Sequence, residues 1–309
     1  MHSDDTREAI EAFEDEHGLV HDPADCAEVP DLWYDRWGKH QGGPCPWLDE
    51  SDEGFILGTH RPHWAFAGDA QGPLFLSIRQ IRRRITAYPK ATVPVYVDSG
   101  GFTELHQHGR WTVSPEAFVD EVLRYQRELG TIGWVSIQDW MCEETALRAT
   151  GLTIAEHQRR TVDNFRTLFA MAPEVHWLPV LQGWELGDYM HHVEMYRDAG
   201  VILGDMQRVG VGSICRRKSV REPVEILREL AGVQGGLGLH AFGLGAQALR
   251  YAAPYIASSD SLAWSYAARR APEEAKGATG GRAGNHAQND QGVAETYRDH
   301  VNSIMEGKQ

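Results

Sequence analysis

Two carboxylates in this sequence stand where they could divide the work of nucleophile and acid/base. Asp98 opens the tetrad Asp98-Ser99-Gly100-Gly101 at the end of the apolar run Val93–Val97, and Asp260 closes Ile256-Ala257-Ser258-Ser259-Asp260-Ser261 far downstream. A run that finishes in a carboxylate, a hydroxyl and two glycines places polar groups at a strand's carboxyl end. The backbone there is bare enough for a flat ligand to lie against it. One such carboxylate can attack carbon while the other moves a proton. The bland alternative for each is the cap of a loop.

The elements that must hold these residues alternate regularly. Strands are expected at Phe55–Leu57, Leu74–Ser77, Val93–Val97, Trp134–Ile137, His176–Leu181, Met206–Val211, Leu237–Phe242 and Tyr255–Ser258. Ser114-Pro115 caps a helix that carries Phe118, Val122 and Tyr125 on one face, and Thr153-Ile154-Ala155-Glu156 has the form of a capping box. Further helices are expected at Leu186–Asp198, Pro223–Leu230, Ala246–Ala253 and Val293–Met305. Strand–helix alternation with short connections means parallel strands, and eight of them fit a (β/α)8 TIM barrel better than an open sheet. No GxGxxG follows the first strand, and Gly210-Val211-Gly212-Ser213 is too short a match to suggest a dinucleotide site. The expected organisation is an acidic irregular arm over 1–53, a catalytic barrel over 54–270, and a mobile loop with a last helix over 271–309.

In such barrels the chemistry sits on the loops at the strands' carboxyl ends. Those ends collect Asp98–Phe102, Gln138-Asp139-Trp140, Gln182-Gly183-Trp184, Gly210–Ser213, Gly243-Leu244-Gly245 and Asp260. A glutamine beside an aspartate can read the donor and acceptor edge of a heterocycle. Phe102, Trp140 or Phe242 could stack on its face.

Asp98-Ser99-Gly100-Gly101-Phe102, Leu181-Gln182-Gly183, the Gly210–Ser213 turn, His240–Gly245 and Ser259-Asp260-Ser261 resemble, in that order, the tRNA-guanine transglycosylase barrel. Thr59–Trp64, Gln138–Cys142 and Ala263–Arg270 resemble more closely the branch of DNA-guanine transglycosylases, which place 7-deazaguanine bases such as preQ0 in DNA. The resemblance implies Asp260 as nucleophile and Asp98 as acid/base. It implies base recognition by Asp139, Gln182 and the backbone near Gly183 and Gly212, with Phe102 and Phe242 clamping the base; Ser99, Gly100, Gly101 and Gly243 are expected to line the same slot, though Ser99 could equally bond its own turn. The family's Cys-rich zinc motif has no counterpart, because no cysteine follows Cys215. No cofactor is therefore expected, and the subdomain that the zinc would brace is expected to be remodelled or supplied by a partner subunit.

The net charge of −14 speaks at first against a nucleic-acid partner. Residues 1–31 hold eleven Asp/Glu against Arg7 alone, so the rest of the chain carries only −4 of the total. Basic runs at Arg79/Arg82/Arg83/Arg84, Arg216/Arg217/Lys218 and Arg269/Arg270 then stand out. Such runs are ordinarily solvated faces. Arg216, Arg217, Arg269 and Arg270 adjoin the glycine turn and Asp260, which makes them the expected phosphate contacts. The four cysteines form no CxxC and read as structural thiols. No apolar stretch is long enough to span a bilayer and no signal sequence is visible, so a cytoplasmic enzyme without membrane contact is expected. Three rival readings are a transglycosylase acting on tRNA, a non-catalytic nucleic-acid or deazapurine binder, and a metal-dependent barrel hydrolase using His60, His63, His176, His240 and Asp260.

Overall fold

The computed structural model describes residues 54–68, 70–130, 132–217, 219–233, 236–265 and 290–307. The expected arm over 1–53, the loop over 271–289, and Lys218, Arg269 and Arg270 lie outside the described residues.

Among the described residues nine parallel strands form one sheet: β1 (Gly54–Gly58), β2 (Leu74–Ser77), β3 (Val95–Asp98), β4 (Ile132–Ser136), β5 (Trp177–Leu178), β6 (Val180–Leu181), β7 (Val209–Val211), β8 (Leu239–Ala241) and β9 (Ser258–Ser261). Their order is β5-β4-β3-β2-β1-β9-β8-β7-β6, and Pro179 alone separates the two ends, so the sheet comes round into a barrel. Nine strands appear where eight runs are expected because Pro179 has no N–H to give the ladder. Its carbonyl still accepts the Gly210 N–H at 2.8 Å, joining the split strand to β7.

The last strand is displaced from the expected Tyr255–Ser258. Tyr255 ends a 3-10 turn over Ala253–Tyr255, and β9 is the polar run Ser258–Ser261, aligned with Gly54–Leu57 of β1. A polar run can serve as a buried strand because its side chains find partners. Ser259 Oγ donates to the Ala241 carbonyl at 2.7 Å, and Ser258 Oγ meets His240. Asp260 therefore lies within a strand, not beyond its end.

Side chains alternate between two apolar layers. Ile56, Phe75, Tyr96, Trp134 and Leu178 pack together inside the barrel with Phe242 against them. Leu57, Leu74, Leu76, Val95, Val97, Val135, Val209, Val211, Leu239 and Ala241 join the outer layer under the helices. Each fully buried aliphatic or aromatic side chain of these layers contributes about 1.5–3 kcal/mol.

The covering helices are α1 (Ile78–Ile81), α2 (Gly101–His108), α3 (Pro115–Leu129), α4 (Glu144–Thr150), α5 (Ile154–Met171), α6 (Leu186–Asp198), α7 (Arg221–Ala231), α8 (Ala246–Ala252) and α9 (Gln291–Met305). Ser114 Oγ and Thr153 Oγ1 cap α3 and α5 as their sequences foretell, at 3.3 and 3.2 Å. The box at Thr153 is only half formed, because the Glu156 carboxylate turns outward to Arg159 and Arg160. Helix α9 shares the outer core: Tyr297 packs edge-on against Phe55 of β1. At the top of the barrel Trp264 leans on Trp64 and donates to the Gly58 carbonyl at 2.8 Å, tying the exits of β1 and β9 together.

Candidate active site

The inward positions at the carboxyl ends of β3, β4, β8 and β9 all carry polar side chains. Asp98 is the last residue of β3 and is aligned with Ser77 of β2. Its Oδ2 accepts the Gly100 N–H at 3.0 Å, and the Ser77 hydroxyl bonds the same carboxylate. Gly100 has φ of 83°, a conformation that an L side chain rarely adopts, and this turn sends the chain directly into α2. Burial pushes the Asp98 carboxyl up to about 7; the charges of Asp139 and Asp260 add to that, while its two hydrogen bonds oppose it. A carboxyl balanced near neutrality is suited to give and take a proton.

Beside it runs a hydrogen-bonded chain. Gln182 Nε2 donates to Asp139 Oδ2 at 2.5 Å, and Gln182 Oε1 accepts the Ser213 hydroxyl at 2.7 Å. Ser213 Oγ in turn accepts the Cys142 N–H at 2.9 Å. Ser213 supports this geometry with φ of 55°, the one non-glycine positive φ among the described residues. Ser99 is buried, donates its N–H to Ser136 Oγ at 2.8 Å, and sets its hydroxyl 3.4 Å from Asp139 Oδ1. Burial raises the Asp139 carboxyl to about 6 against the hydrogen bonds from Gln182, its own backbone and Ser99. The Gln182 backbone is pinned as well, because its N–H donates to His192 Nδ1 at 2.8 Å. Burial lowers that imidazole to about 3, which keeps it neutral and able to accept.

The glycines act mainly as clearance. A Cβ on Gly212 would lie 2.2 Å from Gln182 Nε2, and one on Gly183 would lie 2.9 Å from Tyr189. One on Gly101 would reach 3.4 Å from Asp139. Gly212 spends its N–H on the Leu181 carbonyl (3.0 Å), and its own carbonyl accepts the Tyr189 hydroxyl (2.7 Å). Gly212→Ala is therefore expected to push Gln182 off Asp139 and to cost about 1–3 kcal/mol of stability with the barrel intact. Denaturant unfolding, beside an unchanged circular-dichroism spectrum, checks this.

Asp260 is buried, and its Oδ1 accepts the Gly243 N–H at 3.0 Å while lying 3.3 Å from His240 Nε2. Gly243 makes that turn with φ of 63°. Among the described residues its Oδ2 has no hydrogen-bond partner, which leaves that oxygen for chemistry. Below the pair lies an aromatic floor of Phe75, Trp134 and Phe242 around His240.

At the rim Phe102 is partly exposed and stacks on His106 with centroids 4.0 Å apart. The Arg216 guanidinium lies 4.1 Å over the same ring and 3.7 Å from Glu143. Arg79 lies across Gly100 and pairs at 2.9 Å with the buried Glu104, which Thr112 holds.

Several expectations are corrected here. Arg217 faces inward: it is buried, its guanidinium sits 3.9 Å over Trp184, and its Nε donates to the Ser213 carbonyl. It braces the Ser213 turn and is not placed to meet a phosphate. Trp140 is buried with Leu105 and Ala146 between α2 and α4, and the Arg160 guanidinium lies 4.6 Å over its ring. His240, a ligand in the rival hydrolase reading, is the middle residue of β8 and points into the barrel, where it meets Ser258 and Asp260. Among the described residues no three His, Cys, Asp or Glu side chains gather as metal ligands. With no cysteine after Cys215, the residues present do not fit the zinc motif of the transglycosylases. Burial pushes both described thiols, Cys142 and Cys215, upward, as suits packing residues.

Sequence reasoning missed Ser77 and Ser136, and it named Ser213 only within its turn and His240 only within a motif or as a metal ligand. The alternation of inward residues held a signal, since 240 and 242 share a face of β8 as 258 and 260 do of β9.

A family model, DpdA: DeoxyPurine in DNA protein A, matches residues 51–286. The chain belongs to this family. DpdA is a DNA-guanine transglycosylase related to the tRNA-guanine transglycosylase superfamily, which places the chain in deazapurine modification of DNA. Among curated proteins none matches the chain. The DpdA match takes in every residue of the site described above. No helix among the described residues is long and apolar enough to cross a membrane.

Proposed function

We propose that the protein exchanges guanine in DNA for a preQ0-type 7-deazaguanine through a covalent aspartyl-glycosyl intermediate. The observation that carries this reading is the pair Asp98 and Asp260: two carboxylates in one barrel mouth, one raised towards neutrality by burial and by the charges of Asp139 and Asp260, the other with an oxygen, Oδ2, that no described residue bonds. Such a division suits a double displacement that retains the sugar configuration.

In the first half, Asp260 Oδ2 attacks C1′ of the target deoxyguanosine, the C1′–N9 bond breaks, and protonated Asp98 gives its proton to the departing guanine. In the second, Asp98 takes the N9 proton of the incoming deazaguanine, N9 attacks C1′, and the carboxylate of Asp260 leaves. Asp139 and Gln182 read the donor and acceptor edge of either base, with Ser99 and the glycine turns of residues 100, 101, 183, 212 and 243 shaping the slot. Phe102 and Phe242 are proposed to hold the base between them, Phe102 giving up its present contacts with His106 and Arg216. A duplex base must be extruded to enter such a slot. Arg216, exposed at the rim, is the described cation best placed for the flanking phosphates; Arg269 and Arg270 are proposed to join it.

The test is transfer of a radiolabelled 7-deazaguanine into DNA and, in parallel, into tRNA. Label in DNA alone is the expected result. Label in tRNA alone would replace the substrate, and label in neither would leave a non-catalytic binder or an enzyme that needs a partner subunit.

A further inference from the structure

Asp260 is not held by the backbone alone, and this inference rests on the transglycosylase reading above. We propose that His240 is a positioning residue that ties down Asp260 Oδ1, aims Oδ2 at the sugar, and sets how fast the glycosyl ester is released.

His240 has no solvent exposure. Its Nε2 lies 3.3 Å from Asp260 Oδ1 and its Nδ1 2.9 Å from Ser258 Oγ. Trp134 and Phe242 each approach edge-on with centroids at 4.7 Å, and Phe75 at 5.9 Å. This apolar seat disfavours the imidazolium, and the lowered affinity of the ring for a second proton agrees, burial outweighing the pull of Asp260. A neutral imidazole has one N–H. The carboxylate claims it at Nε2, so Nδ1 must accept, and the Ser258 hydroxyl must donate to it. Ser258 thus fixes the tautomer, and the tautomer fixes the donor. Oδ1 then receives two donors, His240 Nε2–H and Gly243 N–H.

The two donors act oppositely on the two half reactions. When Oδ2 bonds to C1′ the negative charge of the carboxylate is consumed, so donors on Oδ1 lose strength. When the C1′–Oδ2 bond breaks, the electron pair returns to the carboxylate and the same donors regain it. His240 transfers no proton in either half. Its hydrogen bond speeds release of the ester at the expense of its accumulation.

The experiment compares wild type, His240→Phe, His240→Gln and Ser258→Ala with guanine-containing DNA, measuring trapped adduct on a denaturing gel beside steady-state exchange. His240→Phe fills the aromatic seat without a donor; the expected result is release slowed at least about ten-fold with a larger trapped fraction. His240→Gln, which restores an N–H donor, is expected to recover both. Ser258→Ala keeps the ring and loosens only its tautomer, so it should shift the partition the same way by a few fold, and it serves if His240→Phe does not fold. Adduct formation and release falling together in all three variants would mark a merely structural role and overturn the proposal, as would variants that behave like wild type. A wild-type protein that gives no adduct would instead overturn the covalent reading itself.

Discussion

Asp260→Asn is expected to abolish the DNA adduct and to reduce base exchange by about 10⁴-fold or more, with little change in fold. The amide keeps an oxygen to accept from Gly243 N–H and His240 Nε2–H, so the contacts at 3.0 and 3.3 Å need not be lost. What disappears is the charge on Oδ2, the oxygen that no described residue occupies. Asp260→Ala removes the acceptor too and should cost a further 1–3 kcal/mol or so of stability, because two buried donors lose their partner. A denaturing gel of protein with labelled DNA, read beside thermal unfolding, separates these effects. An adduct that survives in Asp260→Asn would move the nucleophile elsewhere.

Asp98→Asn should also lose exchange, by about 10²–10⁴-fold, yet gain stability above neutral pH. In the folded chain burial and the neighbouring Asp139 and Asp260 hold the Asp98 carboxyl near 7, against 3.8 for its ordinary value. Between those values the folded chain keeps a proton that the unfolded chain gives up. The stabilising contribution of Asp98 is therefore complete below about 3.8 and is lost as pH rises through about 7. At pH 8 the wild type carries a buried, repelled carboxylate, and the amide removes it. Asp98→Asn is expected to be more stable there by about 2 kcal/mol or more, the difference vanishing towards pH 4. Denaturant unfolding across that range checks it, and an Asp98→Asn protein equally or less stable at pH 8 would sink the assignment. In the wild type the same protonation predicts that guanine expulsion slows about ten-fold per pH unit above neutrality, because only protonated Asp98 can serve the leaving base.

The cost of Asp98 is tolerated because its surroundings are built for it. Ser77 and the Gly100 N–H hold the carboxylate, while Asp139 divides its own charge between Gln182 and Ser99. A site that kept all its acids well solvated would be more stable and could not move a proton at neutral pH.

Much of this was written in the order of the residues. The alternation of short apolar runs with capped helices gives parallel strands, and parallel strands with short connections close into a barrel, whose chemistry belongs at the strands' carboxyl ends. That reasoning needs only local patterns, and it places Asp98, Asp139, Gln182 and Asp260 on one rim. The glycine turns at Gly100 and Gly243 were visible for the same reason, since a positive φ is a property of a few consecutive residues.

The rest depended on which side chains meet across the barrel. Arg217 reads as a surface cation until Trp184 is seen beneath it, and Ser259–Ser261 reads as lying past the end of a strand until β1 and β8 supply its partners. His240 reads in sequence only as part of a motif or as a metal ligand of the rival hydrolase, because nothing nearby in sequence binds it; its partners Ser258 and Asp260 are eighteen and twenty residues away. The protonation of Asp98 is decided in the same way, by burial and by charges brought from β9 and the end of β4. The sequence by itself determined the barrel and the carboxylates at its mouth, because hydrophobic period and turn chemistry are local. Only the tertiary structure decided that Asp98 is raised towards neutrality and which oxygen of Asp260 no described residue bonds, because desolvation and charge coupling act between residues that the chain keeps far apart.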